Sequence, residues 1–263
     1  MNDSLLPPTR SSLAAELAAL GVRTGGVLLV HGSLRALGWV CGGAEAVVLA
    51  LRDVLGPGGT LVVPTHTPIN SDPAHWVNPP VPVEWWPVIR AETPAFDPAR
   101  TPSRYMGAIA EQVRTWPGAR RSAHPQVSFA ALGPRAAEIT DGHGLGDGLG
   151  EASPLGRLYR LGADVLMLGT GWDTCTSLHL AEYRWAGAPR QTEGSAVRGP
   201  DGEQTWATWE DVAFDSSDFE LIGADLPDFV PVHTGPVGGG TGTLVAQPAA
   251  VDFAARWLPL HRV

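Results

Sequence analysis

Gly26-Val27-Leu28-Leu29-Val30, running into His31-Gly32-Ser33-Leu34, decides how this chain of 263 residues is read. The apolar run has no polar alternation, the pattern of a strand covered on both faces within a mostly parallel sheet. Working outward, residues 44–55 place Val47, Val48, Leu51, Val54 and Leu55 at helical spacing. Gly56-Pro57-Gly58-Gly59 then breaks the helix ahead of a second apolar run, Thr60-Leu61-Val62-Val63-Pro64. Strand, loop, helix and strand make a βαβ unit. Upstream, Ser11 and Ser12 can cap a helix carrying Leu13, Leu17 and Leu20, which Gly21 ends in a left-handed conformation.

Downstream, residues 66–100 mix Pro, Trp and polar groups without a sustained period and read as a long ordered loop over a site. Helical spacing returns at 105–116, a strand is expected at 126–132, and short helices at 134–139 and 154–161. A second buried strand at 163–169 leads through Thr170-Gly171-Trp172-Asp173-Thr174-Cys175-Thr176 into a helix at 177–185. Such carboxyl-end loops are where open α/β sheets bind ligands. Around Pro200-Asp201-Gly202 the pattern predicts a β-hairpin lobe at about 194–214. After the glycine-rich residues 235–242 come a strand at 243–246 and a last helix at 249–258. The reading is one α/β domain over residues 1–263 with the loop insertion and the hairpin lobe attached.

A hydrophobic fraction of 44% against 17% charged residues excludes a disordered chain. The net charge of −9 opposes nucleic acid and anionic membranes, whereas an acidic cleft attracts a polycationic small molecule. Cys41 and Cys175 have no CxxC spacing, so neither a disulfide scaffold nor a zinc knuckle is expected, and a reducing cytoplasm fits. Residues 1–10 lack the pattern of a secretory signal, and no stretch approaches the roughly 20 apolar residues of a membrane span. No histidine pair has compact metal-ligand spacing, so no metal is expected.

Gly238-Gly239-Gly240 precedes a strand instead of opening a helix, and no phosphate-loop motif occurs. His31-Gly32-Ser33-Leu34-Arg35 stands where a strand becomes a loop. Backbone amides there can hold an anion such as a pyrophosphate, although the stretch also suits an ordinary strand-to-helix turn. His179 and Glu182, three apart, share a helix face on which the acid can orient the imidazole; the pair also suits a plain polar face. His143 sits between Gly142 and Gly144 in a loop open to a ligand, and His124 before Pro125 suits a buried structural role.

In order, these signals become specific. Val30-His31-Gly32-Ser33-Leu34-Arg35-Ala36-Leu37-Gly38-Trp39, Gly58-Gly59-Thr60-Leu61-Val62-Val63-Pro64-Thr65 and Val81-Pro82-Val83-Glu84 come first. Thr101-Pro102-Ser103-Arg104, Arg121-Ser122-Ala123-His124-Pro125, Gly150-Glu151-Ala152-Ser153-Pro154-Leu155 and Thr176-Ser177-Leu178-His179-Leu180-Ala181-Glu182 follow. The series resembles the aminoglycoside 3-N-acetyltransferase family from about residue 10 to the C-terminal helix. The resemblance implies a three-layer α/β/α fold, acetyl transfer from acetyl-CoA to an amine, and no metal. It implies a coenzyme A channel lined by His31, Gly32, Ser33, Leu34, Arg35, Thr101, Ser103 and Arg104. The acceptor side would be built from Asp72, His143, His179 and Glu210, with Asp211 and Glu182 adding acid for a cationic aminoglycoside. The chain departs from the family's usual residues at Gly32, Gly144 and Cys175.

An ammonium has no lone pair, so such a transferase needs a base near neutrality. The expected base is His179 or, failing that, His143, steadied by Glu182 or Glu210, with direct transfer and no acyl-enzyme. The alternatives are an acetyltransferase for another amine, a serine-dependent thioester hydrolase acting through Ser33 or Ser103 without the G-x-S-x-G elbow, and a cofactor-binding protein without turnover. A monomer or homodimer is expected.

Overall fold

The computed structural model describes residues 6–262; the reading of residues 1–10 falls partly outside them. The strands are β1 (Val27–Gly32), β2 (Thr60–Pro64), β3 (Arg120–Arg121), β4 (Phe129–Leu132), β5 (Asp164–Leu168), β6 (Arg190–Arg198), β7 (Gln204–Val212), β8 (Val232–Val237) and β9 (Gly240–Ala246). The helices are α1 (Arg10–Leu20), α2 (Gly43–Leu55), α3 (Trp86–Glu92), α4 (Gly107–Arg114), α5 (Ala136–Thr140), α6 (Pro154–Arg160), α7 (His179–Arg184), α8 (Phe219–Asp225) and α9 (Gln247–His261).

Seven strands form one sheet in the order β3-β4-β2-β1-β5-β9-β8, and β6 and β7 form a separate ribbon. Successive residues of the central strands feed opposite cores. Leu29, Val62, Val165 and Met167 pack with Leu155, Leu158, Leu180, Phe219 and Val251 from α6 to α9. Leu28, Val30, Leu61, Val63 and Leu166 pack with Leu13, Leu17, Val47, Leu51 and Ile109 from α1, α2 and α4. Burying each such side chain contributes about 1.5–3 kcal/mol relative to exposure, so β1 is held on both faces. This is the expected α/β/α layering.

The parallel part of the sheet is narrower than the sequence suggested. Only β1 pairs in parallel, with β2 and with β5. The outer joins, β2 to β4, β4 to β3, β5 to β9 and β9 to β8, are antiparallel. For two of these joins the cause is connection length: β8 returns to β9 across Gly238-Gly239 and β3 to β4 across residues 122–128, whereas a parallel return needs a crossover of about a dozen residues or more.

Other boundaries moved for local reasons. The N-cap of α1 is Thr9, whose hydroxyl accepts from the Ser12 amide at 3.2 Å while Ser12 Oγ accepts from the Thr9 amide at 2.9 Å, so Ser12 is the far half of a capping box. Gly21 does end the helix, at φ 108°. The strand expected at 126–132 shortens because the Gln126 and Val127 amides donate to His124 Nδ1 at 3.2 and 3.1 Å instead of to a ladder. Four elements were unread: α3 within the loop, the two-residue β3, α8 and β8, the last an edge strand that tolerates Pro236.

The long loop is ordered by three 3-10 turns and α3. Its Asp72 takes a bidentate bond from Arg90 at 2.9 and 2.7 Å, and Phe96 donates to the Ala196 carbonyl of the hairpin at 3.1 Å. Arg121 ties the loop's end to the sheet: Nε donates to Thr65 Oγ1 and Ser128 Oγ at 3.1 and 3.0 Å, Nη2 to the Thr65 carbonyl at 2.7 Å, and Nη1 to the Thr101 carbonyl.

Gly169 lets β5 turn away at φ 68°, and an added Cβ would stand 2.5 Å from Ala36 Cβ. Gly169→Ala is therefore expected to lower stability by about 1–3 kcal/mol in urea unfolding; unchanged stability would show that this close approach carries no strain.

Candidate functional site

Because β1, β2 and β5 are apolar on both faces, their first available polar side chains emerge at the strand ends. His31 and Ser33 leave β1, His66 follows β2, and Thr170 follows β5. With Met106 and His179 they line a cavity of about 400 Å³ at one edge of the sheet. Another hollow, of about 430 Å³ between Arg10, Arg52 and Asp53, lies at the opposite end of β2 and contains no imidazole.

His179 opens α7, and the helical turn brings Glu182 beneath it: Nδ1 lies 2.6 Å from Glu182 Oε2. Glu182 is only 1% exposed. Its other oxygen accepts from Arg262 Nη1 at 2.5 Å and from the Asp215 amide at 3.2 Å. A carboxylate so paired takes the Nδ1 proton as its hydrogen bond and leaves Nε2 as the lone pair of the ring. Phe214 and Phe219 pack against the imidazole at centroid distances of 5.2 and 4.7 Å and fix its plane. The other two cavity imidazoles are neutral near pH 7. Burial, then repulsion from His179, pushes His31 down to about 4, and the same causes push His66 well below the usual histidine range. Nε2 of each has no protein partner.

The structure thus brings His31, Gly32, Ser33, His179 and Glu182 together. Leu34 and Arg35 stand in the next turn, where the Ser33, Ala36 and Leu37 amides have internal acceptors and, among the described residues, the Leu34 and Arg35 amides have none. Thr101, Ser103 and Arg104 stop short of the cavity wall. Thr101 Oγ1 accepts from the Asp97 amide at 3.0 Å, Ser103 Oγ donates to Glu111 at 2.7 Å, and the Arg104 amide donates to the His66 carbonyl at 2.9 Å. They position Tyr105, Met106 and Gly107, which do line it.

Four expected residues are committed elsewhere. His143 is outside the cavity: its Nδ1 bonds Ser122 Oγ at 2.9 Å and its Nε2 the Gly148 carbonyl at 2.7 Å, and burial pushes it down to about 3. A ring with both nitrogens engaged has no lone pair to offer. Asp72 is already neutralised by Arg90. Asp211 is buried and accepts from the Gly148 amide at 3.0 Å and the Tyr183 hydroxyl at 2.6 Å. Glu210 lies exposed on β7 and accepts from the Thr192 hydroxyl; among the described residues it has no bond to His179 or His143. Cys175 is a core residue whose thiol burial pushes up to about 12, so it neither faces an acceptor nor serves as a nucleophile. At Gly32 a Cβ would meet Ile109 Cδ1 of α4 at 3.0 Å, while at Gly144 nothing lies within 4 Å.

Sequence reasoning missed His66, Thr170, Asp173 and Arg262. His66 carried a usable signal, since it follows β2 much as His31 closes β1; Arg262, next to the end of the chain, carried none.

Among the described residues, no group of three or more His, Cys, Asp or Glu side chains is placed to hold a metal ion, and no helix is long and apolar enough to cross a membrane. The sequence model of the aminoglycoside 3-N-acetyltransferases matches residues 29–259. The chain belongs to this family. It is therefore an acyltransferase for which acetyl-CoA is the co-substrate. It is 40% identical to the SPbeta prophage-derived aminoglycoside N(3')-acetyltransferase-like protein YokD of Bacillus subtilis, over 98% of this chain and 94% of that one. The crystal structure of YokD superposes with a TM-score of 0.96 at 38% identity, covering 100% of this chain and 98% of the other. Aminoglycoside N(3)-acetyltransferase VII of Streptomyces paromomycinus is 38% identical over 96% of this chain and 92% of its own. AAC-IIIb, solved as a binary complex with CoASH, matches with a TM-score of 0.85 at 33% identity, over 96% of each chain. AAC-VIa, solved bound to sisomicin, matches with a TM-score of 0.86 at 32% identity, over 98% of this chain and all of that one.

The buried histidines make stability depend on pH. His31, His124 and His143 bind protons in the unfolded chain near the ordinary pKa of about 6.5 but in the folded chain only at about 3 to 4. Their stabilisation is complete above about 6.5 and is lost as pH falls through the folded values. The urea midpoint should fall steadily between about pH 6.5 and 4, and less steeply in His143→Gln; a midpoint that rises on acidification would contradict the burial of neutral imidazoles.

Proposed function

We propose that the chain transfers the acetyl group of acetyl-CoA to an amine of a cationic aminoglycoside, the 3-amino group by family, with His179 as general base. The observation that carries this reading is the His179–Glu182 pair on the wall of the cavity, with Nδ1 engaged and Nε2 free. Acetyl-CoA supplies an activated thioester. The Leu34 and Arg35 amides, which lack internal acceptors, together with the Nε2 atoms of His31 and His66, suit its oxygens.

An ammonium acceptor must shed a proton before its nitrogen can attack. Nε2 of His179 takes that proton, and Glu182 faces the positive charge that then develops on the ring. That first proton passes on to solvent; as the new N–C bond forms, Nε2 takes a second proton from the attacking nitrogen, and the imidazolium hands it to the departing thiolate as the C–S bond breaks, leaving a neutral amide and a free thiol. Charge developing on the thioester oxygen is offset by neutral donors at the cavity wall, because neither His31 nor His66 carries a cation near pH 7.

The aminoglycoside assignment is supported by the net charge of −9 and by relatives named for this activity. A different amine is favoured by one observation: Asp72 and Asp211 are spent on internal partners and leave fewer carboxylates for a polycation. A serine hydrolase is disfavoured, since Ser33 Oγ accepts from the Ala36 amide and Ser103 Oγ donates to Glu111, neither touching an imidazole. Free thiols at Cys41 and Cys175 and the use of acetyl-CoA support a cytoplasmic setting.

Thiol release from acetyl-CoA across aminoglycosides and simple polyamines, with the product mapped by NMR, tests the substrate. His179→Ala should lower kcat by about 10²–10⁴-fold with little change in KM for acetyl-CoA. Near wild-type kcat in that variant with a good acceptor would remove His179 from the mechanism.

A further inference from the structure

His179 faces charged or titratable groups from every element around it. Glu182 lies on its own helix, His31 at the end of β1, His66 after β2, Asp173 in the turn Trp172–Thr174, and Asp215 and Asp218 ahead of α8. The cation bonded to this set is Arg262. Nη1 donates to Glu182 Oε1 at 2.5 Å, Nε and Nη2 donate to the two oxygens of Asp218 at 2.6 and 2.5 Å, and Nη2 also donates to the Asp215 carbonyl at 2.5 Å. The side chains of Arg262 and Asp218 are largely shielded, at 14% and 17% exposure, so the charges meet away from bulk water.

We propose that Arg262 is a positioning residue for acetyl transfer, and that it sets the proton affinity of the His179–Glu182 pair so that Nε2 of His179 is a lone pair near neutral pH.

The argument is one of charge. The pair works as a base while it holds a single proton, on Nδ1, with Glu182 as the acceptor. A second proton ends that state wherever it sits: on Nε2 it makes imidazolium, and on Glu182 it turns Nδ1 into an acceptor and moves the ring proton to Nε2. Glu182 and Asp218 together carry two negative charges, and Arg262 offsets one. Without Arg262 the same enclosed site would hold an uncompensated pair of carboxylates, which binds a proton more tightly. Arginine suits the task because it stays charged and its planar fork bridges both acids at once. The neutral His31 and His66 on the cavity side add no compensating charge.

The inference rests on His179 being the base, and its test separates the two. The titration midpoint of His179 is measured by nitrogen NMR on histidine-labelled protein, with the signal assigned by its loss in His179→Gln. It is set beside the pH profile of kcat/KM for wild type, Arg262→Met, Arg262→Lys and Asp218→Asn. Arg262→Met should raise the midpoint, and with it the ascending kinetic limb, by about one pH unit or more. Arg262→Lys should keep most of the wild-type midpoint, and Asp218→Asn, which removes a negative charge, should lower it. KM for acetyl-CoA should be unchanged throughout. A folded Arg262→Met protein with an unmoved midpoint overturns the proposal. Should that variant not fold, an unmoved or raised midpoint in Asp218→Asn overturns it. A midpoint that shifts while the kinetic limb stays in place upholds control by Arg262 and instead removes His179 as the base.

Discussion

The burial of β1 on both faces, between parallel neighbours β2 and β5, is the constraint from which the rest of the site follows. Its apolar side chains feed two cores, so a polar group on it has a place only where the strand ends. The same holds for β2 and β5, and three strand ends running the same way therefore deliver His31, His66 and Thr170 to one edge of the sheet. The antiparallel strands outside them widen the sheet without adding to that edge. Helix α7, which follows β5, brings His179 to the wall of the same cavity.

Identical residue types take opposite roles according to which atoms the fold leaves free. His143 and His179 are both shielded imidazoles. In His143 a serine hydroxyl and a backbone carbonyl engage both nitrogens, and the ring becomes a strut between residues 122 and 148. In His179 one nitrogen meets a carboxylate and the other meets the cavity. Arg262 meets the second oxygen of the buried Glu182 while its own fork is satisfied by Asp218. The acids behave in the same way: Asp211 holds a loop amide and a tyrosine hydroxyl, so it organises the hairpin's attachment and is not a free charge.

Much of this was legible in the residues. Uninterrupted apolar runs located β1, β2 and β5, helical spacing located α1, α2 and α9, and the three-residue interval between His179 and Glu182 was sufficient to place them on one face. Local spacing cannot reveal partners that are distant along the chain. Arg90 reaches Asp72 across 18 residues, the Gly148 amide reaches Asp211 across 63, and Arg262 reaches Glu182 across 80. Those long contacts decide which acids remain free, and the expected acceptor residues Asp72, Asp211 and His143 are bonded to internal partners. β8 was hidden for another reason: its Gly235 and Pro236 suit a loop by propensity, and pairing with β9 overrides them.

The central claim is that the edge formed by β1, β2 and β5 brings a thioester to the free nitrogen of His179. A crystal structure of the protein with coenzyme A tests it most directly. The account predicts the sulfur inside the cavity between His31 and His179, with room for one amine between it and Nε2 and the pantetheine running past the Leu34 and Arg35 amides. A sulfur lying outside that cavity, with Nε2 of His179 closed off from it by protein, would contradict the account.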